Sequence, residues 1–241
     1  MPASYPLLAT HNRLDLTIVS ILDGYMNSPS KHHQKNRVGR LALLGGHIAL
    51  DFANTESGRA SLQHLNHLEK GGDLVTWATH AKVITVDEEA LARSTLQTHH
   101  SLSDALLKQG RALRDIIYCI NVDIADGKQP AQPIVRNLVE QYRRFLGVAE
   151  FDLVAGKYVW RWNIHAQLVA AVLGPIALSA LHLLAEQSPS RIKQCGGNCC
   201  GWLFYDITKN NSRRWCEMSV CGNRAKVRAI RARKQKRELA S

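Results

Sequence analysis

Apolar positions recur at helical spacing over much of this chain. Leu74, Trp77 and Ala78 share one face of a helix that Asp73 can cap and that runs to about Lys82. Asp87, followed by Glu88, Glu89 and Ala90, marks a second start, because a capping side chain and first-turn acids complement exposed backbone amides. That helix should reach about His99. Leu102, Leu106, Leu113, Ile116, Ile117, Ile120 and Ile124 continue as one long or interrupted helix, ending before Asp126-Gly127-Lys128-Gln129-Pro130. Cys119 falls in this stretch and reads as a buried free thiol. Ile134 to Phe145 repeats the amphipathic pattern and closes at Gly147. Ala166 to Ala185 is strongly apolar around Gly174-Pro175, a pair that can kink a helix.

The period changes in three places. Glu150 to Val154 and Lys157 to Trp162, separated by Ala155-Gly156, predict a β-hairpin. Its second arm alternates Tyr158, Trp160 and Trp162 against Val159 and Arg161. The aromatic face suits packing on helices, with a ligand surface as the alternative. Leu41 to Phe52 carries Gly45-Gly46 and predicts a bend followed by a strand, Ile48 to Phe52. Asp51 and Asn54 bracket the end of that strand, where short polar side chains can hold a turn by bonding to the main chain. Residues 1 to about 35 read as a weakly ordered arm with one short element, Leu14 to Leu22, and a solvated His32-His33 pair.

Charge sharpens this division. The chain has 241 residues, 31 Lys plus Arg against 20 Asp plus Glu, a net charge of +11 and 45% hydrophobic residues. That apolar fraction excludes a disordered tail or charged linker. No run reaches the roughly 18 consecutive apolar residues of a membrane span. Met1 to Leu16 lacks the apolar core of a signal peptide, so the expectation is a cytoplasmic chain with no membrane partner. Residues 191–241 hold 13 Lys or Arg against 3 Asp or Glu, a net of +10, and the rest holds 18 against 17, a net of +1. The predicted organisation is an arm (1–39), a near-neutral body (40–190) and a basic terminus (191–241). The body offers no phosphate-cradling loop, dinucleotide fingerprint or helical His pair flanking a Glu. His99 and His100 point to different sides of a helix. No catalytic or cofactor-binding residue is therefore proposed, and no enzyme.

The terminus carries the chemistry. Five of the 6 cysteines lie there: Cys195, Cys199 and Cys200, then Cys216 and Cys221. Two cysteine clusters flanking an insert have the layout of a structural zinc site. Cys216 and Cys221 supply one pair, and Cys195 with Cys199 or Cys200 the other. Cys200 is favoured because Gly201 lets the chain turn tightly beneath a sulfur. It also makes the pairs alike, each with four intervening residues and a following glycine. Disulfides are the competing account, and clustered thiols in a charged, non-secreted segment speak for metal. Four thiolates leave no open coordination position, so one structural Zn2+ per chain is expected. The insert reads as a hairpin with Trp202 to Tyr205 as one arm and Arg213 to Trp215 as the other.

After Cys221, Gly222 or Asn223 can open a helix whose faces carry Arg224, Lys226, Arg228 and Arg231. With Arg213 and Arg214, these suit the phosphates of double-stranded DNA, the helix lying in a groove. RNA, an acidic protein or plain solvation are the competing uses. Further partners envisaged are a small-molecule effector of the body and a second copy in a homodimer. The rival function is a small-molecule binder or an uncharacterised enzyme whose zinc module is structural or protein-binding.

Cys200-Gly-Trp-Leu-Phe, Arg214-Trp215-Cys216 and Cys221-Gly222-Asn223-Arg224 with Ala225-Lys226 resemble the CGNR zinc finger family. Upstream, Gly46-His47-Ile48-Ala49-Leu50-Asp51-Phe52-Ala53-Asn54-Thr55 resembles the opening of its partner region, the ABATE domain. The resemblance covers roughly residues 40–235. It implies bacterial, stress-linked transcription regulators and an α+β fold: a mainly helical N-terminal domain with short strands and a hairpin, then a zinc-bound hairpin and helix. It places the ligands on Cys195, Cys200, Cys216 and Cys221. Asn223 then turns or caps the helix, Arg224 touches phosphate or braces the fold, and Trp202 and Trp215 are structural motif residues. The leading residues and the doubled Cys199-Cys200 depart from the family pattern.

Overall fold

A computed structural model describes residues 38–59, 61 and 64–238; the leading arm, with Leu14 to Leu22 and His32-His33, lies outside them. Helices dominate: α1 (Ile48–Ala53), α2 (Gly71–His80), α3 (Val86–Thr98), α4 (His100–Ala125), α5 (Gln132–Leu146), α6 (Leu168–Glu186) and α7 (Asn223–Glu238). Three antiparallel strand pairs complete the described residues: β1 (Glu56–Ser57) with β2 (Leu65–Asn66), β3 (Ala149–Val154) with β4 (Lys157–Trp162), and β5 (Ile192–Gln194) with β6 (Leu203–Tyr205). This is the α+β arrangement expected.

Each long helix begins and ends where local chemistry allows. Asp73 stabilises the start of α2 from inside the first turn, its carboxylate accepting the backbone N–H of Glu69 at 2.8 Å and of Lys70 at 2.9 Å. The cap of α3 is Thr85 rather than Asp87. Its hydroxyl accepts the Glu88 N–H, and the Glu88 carboxylate accepts the Thr85 N–H, a reciprocal capping box. α4 runs without interruption and buries Leu106, Leu113, Ile116, Ile117 and Ile120. Cys119 is exposed, contrary to expectation. Two residues beyond the buried Ile117, it lies about 200° around the helix. The expected strand Ile48 to Phe52 is also corrected, since it forms α1. All six residues of α1 are buried, so there was no alternation to separate helix from strand.

α6 is the central helix, with Val172, Leu173, Ile176, Ala177 and Leu183 completely inaccessible. By length and mean hydropathy (2.1) it alone among the described residues could cross a membrane, although Ser179 and His182 keep it from the roughly 18 consecutive apolar residues sought in the sequence. Gly174-Pro175 and Ser179 break the strict apolar run without lowering its average much. In this fold 67% of that window is buried against the rest of the chain. Gly174 makes room for the β-hairpin, because a Cβ there would come within 2.6 Å of the Trp162 ring. Trp162 is fixed in turn by donating Nε1–H to the Phe145 carbonyl at 2.8 Å.

The turn Pro189–Arg191 carries the chain from α6 into β5. One continuous apolar cluster then extends from Phe52, Trp77 and Ile117 to Ile192, Trp202, Leu203 and Phe204. The basic terminus is therefore packed onto the helical body rather than tethered to it.

Candidate metal centre and its docking surface

Cys195 and Cys200 lie in the loop of the β5–β6 hairpin. Cys195 donates its backbone N–H to Trp202 O at 2.8 Å, closing the strand ends beneath them. The hairpin differs from the one expected. Leu203 to Tyr205 pairs with Gln194 to Ile192, and not with Arg213 to Trp215. Asp206 explains the difference. Its carboxylate accepts from Lys193 Nζ at 2.7 Å, from the Arg213 N–H at 2.8 Å and from Thr208 N–H and Oγ1–H at 2.9 and 2.7 Å. The insert folds around this one side chain instead of forming a ladder. Burial pushes the Asp206 carboxyl up, but these donors outweigh it and hold it well below the usual carboxylate range.

From there Arg214 O accepts the Gly196 N–H at 2.9 Å, which brings Cys216 back over the first pair. The wide turn Met218–Gly222 then delivers Cys221. The four ligand sulfurs of Cys195, Cys200, Cys216 and Cys221 all lie within 4.8 Å of one another. Cys200 to Cys216 and Cys216 to Cys221 are each 3.6 Å. A tetrahedron of sulfurs about 2.3 Å from zinc has edges of about 3.8 Å, so the donor set fits the ion. It does not fit disulfides, whose sulfurs sit about 2 Å apart. Gly197 lines the cradle; a Cβ there would meet Cys221 Sγ at 3.3 Å and Cys195 Sγ at 3.5 Å.

The two following glycines serve different ends. Gly201 adopts φ +71°, the left-handed turn expected of it. Gly222 instead lies beneath Met218, whose Sδ would be 2.4 Å from an added Cβ. Cys199, the alternative to Cys200, is exposed and lies outside the cluster.

Electrostatics favour a cation here. Hydrogen bonding from the Cys200 and Cys216 thiols draws the Cys195 thiol down to about 7, against the opposing effect of Cys221 and burial. Hydrogen bonding to Cys195 pushes Cys200 and Cys216 up. Four crowded thiols cannot all ionise on their own, and a divalent cation removes that conflict.

The remaining motif residues fall into two groups. Trp202 is buried and donates Nε1–H to Ser57 Oγ at 2.9 Å, while Trp215 is half-buried beneath the Arg214 guanidinium, 5.3 Å from its ring centroid. Asn223 donates Nδ2–H to Ser219 O at 3.0 Å, tying the turn to the helix it opens. Arg214, Arg224, Lys226, Arg228 and Arg231 are exposed. Arg213 stands apart from them. Its guanidinium donates to Leu44 O at 3.1 Å, to Trp215 O at 3.1 Å and to Cys216 O, and it lies 4.3 Å from the Phe204 ring centroid. That side chain braces the module against the body.

The docking contacts were not foreseen as such. Asn54, expected only to hold a local turn, donates Nδ2–H to Leu203 O at 2.9 Å and accepts the Leu203 N–H at 2.8 Å. Asp51 does hold a local turn, accepting the Gly45 N–H at 2.8 Å. Gly45 O accepts the Tyr205 N–H at 2.8 Å, and Gly58 donates its N–H to Cys200 O at 2.9 Å. Arg59 ion-pairs with Glu56 at 2.7 Å and Asp115 at 2.9 Å while lying 4.0 Å over the Tyr118 ring. Tyr118 OH accepts from Gln194 Nε2 at 2.9 Å, so the network reaches β5. The only sequence signal for this surface was the placement of Asp51 and Asn54 around an apolar run.

His47 belongs to the same seam, its ring edge-on to Tyr205 at 5.3 Å. Burial lowers its pKa from 6.5 to about 4. The unfolded chain therefore binds the extra proton between those values. Stability is fully present above pH 6.5 and should fall as pH drops towards 4, by on the order of 3 kcal/mol. Urea unfolding of the parent and His47→Gln at matched pH measures this. The variant's curve should be flatter across that window, and identical pH slopes would remove His47 as the cause.

Fold and site together define a mainly helical body with a four-thiolate, zinc-finger-type module packed on it. Residues 46–187, more than half of the chain, match the ABATE family model, described as "Putative stress-induced transcription regulator", and residues 191–234 match the CGNR zinc finger model. The chain belongs to the ABATE family. No curated protein matches it. The architecture expected from the resemblance is thus present in both of its parts, and the matched description is that of a regulator.

Proposed function

We propose that this protein is a transcription regulator that binds double-stranded DNA through α7, with zinc held by Cys195, Cys200, Cys216 and Cys221 fixing the start of that helix. The metal's contribution would be to cross-link β5–β6, the insert and the turn before α7, not to react. The observation that carries the reading is the state of α7 itself. None of its sixteen residues is buried, and its only acidic residue is Glu238. Arg224, Arg228 and Arg231 fall on one face, with Val227 beside them, 47% exposed. Such a face supplies phosphate contacts, guanine-reading guanidinium groups and an apolar contact of the kind thymine methyls accept. Arg214 adds a further exposed cation, whereas Arg213 is left out because its guanidinium is used internally.

Duplex binding by Arg228→Gln/Arg231→Gln should be weaker than the parent's, with the slope of log K against log salt reduced by about 2. Affinity and slope unchanged from the parent would move the contact surface off α7.

A further inference from the structure

The β3–β4 hairpin carries a surface that neither the metal centre nor α7 uses. Register places Phe151 opposite Trp160 and Leu153 opposite Tyr158, so these four side chains share one face. The same face is anchored at its base by Trp162, packed on Gly174. Beyond Trp162 it is open: Phe151 is 52% exposed, Leu153 61%, Tyr158 66% and Trp160 38%. The Phe151 ring stacks on Tyr158 at 5.4 Å and tilts against Trp160 at 4.5 Å, making the patch continuous. The opposite face is mixed, with Val154 and Val159 among Glu150, Asp152, Lys157 and Arg161, and an Asp152–Arg161 ion pair at 3.6 Å. The hairpin thus projects beyond its Trp162 anchor with a continuous apolar face left in water, a patch of the kind that marks an interaction surface.

We propose that this aromatic face is the contact surface of a homodimer. At roughly 200 Å2 for a large side chain, those exposures leave on the order of 400 Å2 of apolar surface per chain. Two copies face to face would cover about 800 to 1,000 Å2 with their rims, below the roughly 1,200 Å2 of stable interfaces and in the range of weak, reversible ones. A twofold arrangement makes one patch serve both partners. Charge selects the occupant. The face bears no ionised side chain, which gives nucleic acid nothing to bind. Residues 1–190 are near neutral, at 18 basic against 17 acidic, so a second body meets no barrier, whereas an approach through the +10 terminus is repelled. Packing two two-stranded ribbons face to face also removes four aromatic-rich strands from water in one small sandwich. The consequence, two α7 helices poised for two half-sites, rests on the DNA-binding reading. The dimer itself does not.

Sedimentation equilibrium of the full zinc-loaded chain, without DNA, tests it over about 1 to 100 μM. A reversible monomer–dimer equilibrium with micromolar Kd is expected. Phe151→Asp/Tyr158→Asp should be monomeric across that range with unchanged zinc content and circular dichroism. Both substituted side chains are already exposed, so the variant should fold. A wild-type chain that stays monomeric overturns the proposal. So does a dimer that survives Phe151→Asp/Tyr158→Asp, or one abolished only when residues 1–37 are deleted. Because no DNA is present, each of these failures leaves the reading of α7 standing.

Discussion

Cys200→Ser combined with Cys221→Ser should release the metal, whereas Cys199→Ser should keep about one zinc per chain. The double variant loses one sulfur from each pair, and the two remaining ligands, Cys195 and Cys216, cannot hold β5–β6 and the turn before α7 together. Structural zinc of this kind contributes on the order of 10 kcal/mol to the folding of a small module. The effect should not stop at the module. Trp202, Leu203 and Phe204 are at most 1% exposed and belong to the same cluster as Phe52 and Ile117. Releasing them would uncover apolar surface worth about 5 kcal/mol or more, a large part of a typical domain's stability. The body should therefore melt about 10 °C or more lower in the double variant. Metal analysis and calorimetry on the three proteins check both halves. Zinc retained in the double variant would sink the ligand assignment, and an unshifted body transition would mean the two parts fold independently.

How much of this was legible beforehand depended on whether a residue's role was local. α2 to α6 follow from apolar positions at helical spacing between turn and capping residues, and the β3–β4 hairpin from two alternating runs around Ala155-Gly156, signals that are local whether or not the face is buried. The cysteine cluster was legible for a different reason. Four thiolates around one ion need two close pairs, and close pairs leave a mark in the sequence. Ile48 to Ala53 failed because complete burial erases periodicity. The partner of Leu203 to Tyr205 failed because the ladder is decided by where the Asp206 carboxylate finds donors, on Lys193 and Arg213, and propensity cannot see that. Arg213 and Arg214 are neighbours of the same type, yet one is an internal brace and the other exposed. Only the third dimension separates them.

Asn54→Ala should be among the most damaging single substitutions outside the metal ligands, although Asn54 touches no sulfur. Its amide occupies both backbone groups of Leu203, accepting the N–H at 2.8 Å and donating to the carbonyl at 2.9 Å. Asn54 is 1% exposed and Leu203 0%, so water cannot replace it without opening the seam. Two buried backbone groups left without partners cost about 1 to 3 kcal/mol each, hence about 2 to 6 kcal/mol in all. Asn54→Asp discriminates shape from hydrogen-bond polarity. The carboxylate can still accept the Leu203 N–H, but its second oxygen faces the Leu203 carbonyl with no proton to offer, and it carries a buried charge. At neutral pH it should be at least as damaging as Asn54→Ala. Urea unfolding with simultaneous zinc release reads the result. Both variants should lose the module first, releasing zinc at lower denaturant than the parent while α2 to α6 persist. If Asn54→Asp matched the parent, the amide pair could not be what holds the metal module to the body. The seam would then rest on Trp202 and Arg213.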